Sequence, residues 1–217
     1  MKKIFLVICS IFIGSYIKAQ DQSIPLELGI KISPYLISNR SSTESDTLHI
    51  SGNGANLSLG GGIFLKKSIG SNYYFTSGLI YIPKKVNVEL RNNNTNSTII
   101  EKFNLQYLQV PVHLMLFTNE ITLDTKIYFL TGLNFEVKIS EKNKSNENVY
   151  IDTFKFFDTS LSLGTGIEYR LGHSTMLYLG LVYQRGLFNI ISEQLINSDS
   201  DLVVKNDLFS LDLAIKF

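Results

Sequence analysis

Opposite charges two residues apart recur along the chain: Asp124 and Lys126, Glu136 and Lys138, Glu168 and Arg170. Lys31 follows Glu27 by four residues, and Lys216 follows Asp212 by four. Residues two or four apart on an extended strand point to the same side. Each couple therefore offers an acid and a base to one face. Five acids and five bases placed this way can line a path for ions, or they can neutralise one another as packed pairs. The three histidines offer less. His49 falls in a long polar stretch, His113 inside an apolar run and His173 in a short turn, so they cannot converge on a metal. Gly60-Gly61-Gly62 has no lysine-serine pair or following helix of the kind a phosphate loop needs, and glycines inside strands mark close packing or a bend.

The elements that must carry these charges are strands. Odd positions of ITLDTKIYFLTGLNFEVKIS (121–140) are nearly all apolar, and even ones hold Asp124, Lys126, Glu136 and Lys138. The same period-two pattern runs through Leu26–Ile32, Leu57–Leu65, Leu161–Leu171 and Phe209–Phe217. It predicts eight strands near 24–35, 55–67, 72–88, 100–117, 121–140, 154–171, 174–189 and 206–217. Their connections alternate. Short turns lie at 68–72, 118–120 and 172–174; long polar loops lie at 38–54, 87–98, 141–152 and 190–206. An up-and-down meander then places every long loop at one end, with the short turns and both termini at the other.

This pattern predicts an all-β fold, an eight-stranded antiparallel up-and-down transmembrane β-barrel. About 9–11 tilted residues cross a bilayer, and these strands exceed that. Lipid takes the apolar faces, and Glu27, Lys31, Asp124, Lys126, Glu136, Lys138, Glu168, Arg170, Asp212 and Lys216 become candidates for ion pairs filling the lumen. Eight strands leave room for little more than their own side chains, whereas porins need about 16. In the fourth strand, Phe103, Leu105 and Tyr107 set one apolar phase and Leu108, Val110 and Val112 the other. With Pro111 close by, this predicts a bulge across Tyr107, Leu108 and Pro111. Arg185 continues the outward series Leu177–Tyr183 and is expected at the outer headgroups, unless a bulge turns it inward. Tyr73, Tyr81, Tyr169 and Tyr183 suit the aromatic girdles. Phe217 sits at the C-terminus, where the barrel assembly machinery recognises its substrates.

Residues 1–19 have Lys2 and Lys3, an apolar run from Ile4 to Ile17, and a small residue at Ala19. They are expected to form a cleaved signal peptide, with the barrel domain over 20–217; the competing reading is a short anchoring helix. Cleavage removes Cys9, the sole cysteine, and with it any disulfide or thiol chemistry. Removing Lys2, Lys3 and Lys18 from the 20 basic residues leaves about 17 against 19 acidic ones, and nothing in that balance suggests a nucleic-acid partner.

YLQVPVHLML (107–116), GTGIEYRLG (164–172) and YQRGLFNI (183–190) resemble segments of the PorT-like outer-membrane β-barrel proteins of Bacteroidetes. Gln109 stands where that family commonly has an acid, and His113 where it has an aliphatic residue. The resemblance implies an eight-stranded outer-membrane barrel, and one member of the family is linked to a protein-secretion system. The expected function is a non-enzymatic barrel acting as scaffold, surface-binding protein or secretion accessory. Its expected partners are outer-membrane lipid, the assembly machinery and secretion-system proteins, with no cofactor. The alternatives are an outer-membrane lipid-modifying enzyme, requiring serine and histidine on the outer rim, and a soluble lipocalin-like barrel.

Overall fold

A computed structural model describes residues 26–43, 48–92, 97–145, 150–194 and 202–217. The expected signal peptide lies outside the described residues. The strands are β1 (Leu26–Thr43), β2 (Leu48–Gly52), β3 (Asn56–Ser68), β4 (Tyr73–Asn92), β5 (Ser97–Phe117), β6 (Thr125–Asn143), β7 (Ile151–Phe154), β8 (Phe157–Arg170), β9 (Met176–Gly186), β10 (Ile191–Gln194) and β11 (Leu202–Lys216). Each long strand pairs antiparallel with the next in the order β1-β3-β4-β5-β6-β8-β9-β11, and β11 pairs back onto β1. The result is a closed ring of eight strands with no free edge. β2 pairs with the far end of β4, and β7 with β10 makes a small ribbon at the long-loop end.

Side-chain polarity along each strand changes with height. On β4, Tyr73, Phe75, Leu79 and Tyr81 face outward and are exposed. From Pro83 on, the same outward phase carries Lys85, Asn87, Glu89 and Arg91. The inward phase changes the opposite way, from Thr76 to the fully buried Val86, Val88 and Leu90. Backbone parity is constant; the solvent outside is what differs. A belt about nine residues tall, spanning Tyr73–Tyr81, Leu108–Leu116 and Phe209–Phe217, is apolar outside, as lipid requires. Beyond it the barrel continues with a polar exterior and an apolar interior, as a barrel in water would.

This inversion corrects two expectations. The loops expected at 38–54, 87–98, 141–152 and 190–206 are partly strand: β1 reaches Thr43, β4 and β5 reach Asn92 and Ser97, and β2, β7 and β10 lie within those stretches. Outward polar residues above the belt resemble loop composition, which hid them. The phase slip in the fourth strand is also not carried by β5, whose odd residues from Glu101 to Phe117 all stay buried. Gln106 pairs with Ser140 and Tyr107 with Lys138, so the extra residue is Ile139 on β6. Tyr107, Leu108 and Pro111 form a regular stretch in which the outer solvent, and not the backbone, changes. Pro111 has no N–H to donate, and the β4–β5 ladder skips the pairs around it, resuming in the same register.

The strand expected at 121–140 begins at Thr125. Residues 121–124 form a tight turn: Ile121 N–H donates to Thr125 O (3.0 Å) and Thr125 N–H to Thr122 O (3.1 Å). Asp124 sits there at φ 58°, the left-handed region that aspartate tolerates better than most residues.

Candidate functional site

The lumen is where the strands bring ionic side chains together, and it is filled in layers. Nearest the short turns, Lys66 of β3 is buried, with its Nζ 2.9 Å from Glu168 Oε2 and 3.5 Å from Glu27 Oε2. Its ammonium also donates to the Tyr178 hydroxyl at 2.9 Å and lies 4.2 Å from the Tyr74 ring centre and 4.6 Å from that of Phe117. Lys216 donates to Glu27 Oε1 at 3.0 Å. Two carboxylates, two ammonium groups and the electron-rich faces of Tyr74 and Phe117 thus offset the cost of removing these charges from water.

The next layer joins Lys31 Nζ to Asp212 Oδ2 at 3.1 Å, with the Ser210 hydroxyl donating to Asp212 Oδ1 at 2.8 Å. His113 Nε2 lies 2.8 Å from Asn134 Oδ1, whose amide nitrogen donates to Ser160 Oγ (2.9 Å) and Ser162 Oγ (2.6 Å). A cavity of about 60 Å³ opens between Lys31, His113, Tyr128, Tyr178 and Asp212. Above it Lys84 pairs with both Glu136 and Asp158, the latter at 3.2 Å. Gln109 Nε2 donates to Glu136 Oε1 at 2.8 Å and to Gln184 Oε1 at 3.0 Å. Val86, Val88, Phe103, Leu105, Ile151, Phe154 and their neighbours then close the long-loop end as an apolar core. The buried Glu101 carboxylate holds that closure by accepting N–H bonds from Tyr150 (2.9 Å) and Ile151 (3.2 Å).

The structure gathers Glu27, Lys31, Glu136, Glu168, Asp212 and Lys216 in the lumen. Of the other four, Lys126 and Lys138 keep the inward phase beside Glu168 and Tyr107 without joining these pairs, and Asp124 and Arg170 lie at the rim. Asp124 is a turn residue at the rim, where Arg170 lies 3.6 Å from it and 3.4 Å from Glu120, all partly exposed. The left-handed turn removes Asp124 from the strand, and Arg170 at the end of β8 follows it out. Lys126 is half-buried opposite Glu168 in the ladder. Lys138 pairs with Glu141 and donates to Phe154 O, beside β7. Arg185 is exposed on the outward face of β9, and Phe217 is exposed with its N–H donating to Leu28 O at 3.2 Å. His49 and His173 are exposed and His113 is buried between them in height.

Sequence reasoning missed Lys66, Lys84 and Asp158. Lys66 lies in the polar phase that follows Leu65, so counting charges on that strand would have found it. Lys84 had no such signal, because its inward neighbours Ile80, Ile82 and Val86 are apolar.

Glycines make room for the lumen's rings. A Cβ on Gly180 would lie 2.1 Å from the Tyr128 hydroxyl, and one on Gly166 2.5 Å from it. Gly180→Ala is therefore expected to lower stability by about 1–3 kcal/mol, the usual cost of overpacking. Tyr128→Phe in the same chain should recover much of that loss in urea unfolding; no recovery would mean the hydroxyl is not what the methyl meets.

A closed β-ring with an apolar girdle outside and paired charges inside defines an outer-membrane β-barrel. The chain belongs to the family described as outer membrane protein beta-barrel domain, whose model matches residues 18–192. No curated protein matches it by sequence. Among solved structures it is similar to Neisserial surface protein A, at 14% identity over 87% of this chain and 95% of that one, with a TM-score of 0.48. It is also similar to the attachment invasion locus protein Ail of Yersinia pestis, at 11% identity over 88% and 98%, TM-score 0.38. The N-terminal β-barrel domain of Pseudomonas aeruginosa OprF matches at 10% identity over 87% and 97%, TM-score 0.36.

Proposed function

We propose that this barrel is a non-enzymatic surface scaffold whose long-loop end is its binding face, and that it passes no solute through its centre. The observation that supports this reading is the filled lumen: the Lys66, Lys31 and Lys84 layers fill it below, around a cavity of only about 60 Å³, and the apolar core closes it above. Function then resides on the exterior, where β1, β4 and β5 carry the polar walls beyond the belt. In this reading the long loops are extracellular, and the short turns and both termini are periplasmic. Phe217 serves the assembly machinery. The finer likeness to PorT-like barrels makes an accessory role in protein secretion the specific form of the proposal, tested by co-purification with export components.

Orientation is tested first, using the absence of cysteine from the chain after Ala19. Lys144→Cys and Asn119→Cys place single thiols on exposed residues at opposite ends. A membrane-impermeant maleimide applied to intact cells is expected to label position 144 and to reach position 119 only after lysis. Labelling of 119 alone in intact cells would reverse the orientation.

A further inference from the structure

We propose that the outward face of β9, β11 and β1, just beyond the belt, binds the phosphate group of an outer-leaflet lipid. The proposal rests on the orientation given above and adds a ligand class and a place. Arg40 and Lys205 are direct cross-strand partners, and Arg185 lies opposite Asp207 on the next strand. All three cations belong to the outward phase: Arg185 directly follows Tyr183, and Arg40 and Lys205 stand one outward position, Ser38 and Asp207, above Leu36 and Phe209.

Among the described residues, the acid in this patch is Asp207, and it is already engaged. Asp207 accepts from Arg40 Nε at 2.8 Å and Nη2 at 3.1 Å, and from Gly186 N–H at 3.2 Å. Arg40 Nη2 also donates to Gly186 O at 3.0 Å, so the guanidinium is held across β11 by a fork of contacts. A guanidinium has five donors, and these bonds use only part of them. Among the described residues no ion pair includes Arg185 or Lys205, so the patch carries surplus positive charge. A shallow surface depression lies between Arg40, Ser41, Ser42, Val203 and Lys205. Fixed guanidinium, two further cations and the outward-facing Ser42 hydroxyl suit a tetrahedral phosphate. The apolar residues below suit the acyl chains of the same molecule, which is why a lipid phosphate fits this place better than a free one.

The test uses the purified full-length barrel in neutral detergent micelles, with native mass spectrometry reading retained lipid. The probes are monophosphoryl lipid A, phosphatidylcholine as a net-neutral lipid, and inorganic phosphate as competitor. The wild type should retain lipid A in preference to phosphatidylcholine. Arg185→Ala with Lys205→Ala should weaken retention about fivefold, as expected for two rim charges. Arg40 is left in place because its loss would orphan Asp207. Lys102→Ala with Lys142→Ala, on the far wall, should leave retention unchanged. Heat-modifiable mobility checks that each variant is folded. Equal retention of phosphatidylcholine, no change in the first double variant, or an equal loss in the second would overturn the proposal. So would competition by millimolar inorganic phosphate, which would assign the patch to free phosphate. Micelles have no sides, so these results are independent of orientation: failure here with correct thiol labelling rejects the lipid site alone.

Discussion

Lys84→Met is expected to destabilise the barrel by about 3–5 kcal/mol, the range for removing one partner from a buried charge network. The Lys84 side chain is 1% exposed, that of Glu136 0% and that of Asp158 1%. Two carboxylates converge on one ammonium, and Gln109 adds a donor to Glu136. Without Lys84 the carboxylates would face each other in a region that water does not reach, and their repulsion would add to the desolvation each already bears. Asp158→Asn should cost far less, because it leaves Lys84 paired one-to-one with Glu136. Adding Glu136→Gln and Asp158→Asn to Lys84→Met should restore most of the loss, since neutral amides need only hydrogen bonds. Urea unfolding in phospholipid vesicles measures each variant. A Lys84→Met barrel within about 1 kcal/mol of wild type would mean that this lysine does not hold the two acids.

Leu179→Arg is expected to cost about 2–4 kcal/mol, the penalty for a cation at the middle of a barrel's lipid face. Leu179 faces outward in the centre of β9, beside Ile167 on one strand and Leu213 on the other. All three are substantially exposed in the isolated chain, at 39%, 40% and 45%. In water an arginine on such a surface would be harmless; in acyl chains it must snorkel or drag water inward. Glu89→Arg is also outward but lies above the belt on β4, and it should change stability by no more than about 0.5 kcal/mol. Val88→Arg, one residue away, points into the fully buried upper core and should again be severe. If Leu179→Arg and Glu89→Arg were equally mild, the belt would not face lipid.

Much of the fold was legible because strand alternation survives in lipid. Leu161 to Tyr169 and Phe209 to Phe217 keep strict parity, and the ring places them as that parity requires. What escaped was everything above the belt. There Lys85, Asn87, Glu89 and Arg91 face water while Val86, Val88 and Leu90 pack inside, so the same parity carries the opposite polarity. A reading that assigns apolar residues to one face throughout must either end the strand or insert a bulge. Lys84 stood at that crossover and escaped for the same reason. Ile139, the residue out of register on β6, was invisible because it continues an apolar series that looks unbroken. Asp124 was misplaced because alternation runs smoothly from Ile121 onward, whereas its backbone turns at φ 58°.

The change of solvent along a single strand is the claim on which the rest stands, and a nitroxide scan of β4 in lipid vesicles tests it most directly. Single spin labels at Phe75, Leu79, Asn87 and Glu89 sample the outward phase, and labels at Ile80 and Val86 the inward phase. Labels at 75 and 79 should be relaxed by oxygen dissolved in the bilayer, and those at 87 and 89 by a water-soluble nickel chelate. Labels at 80 and 86 should be shielded from both. Nickel access at 75 and 79 equal to that at 87 and 89 would contradict the account.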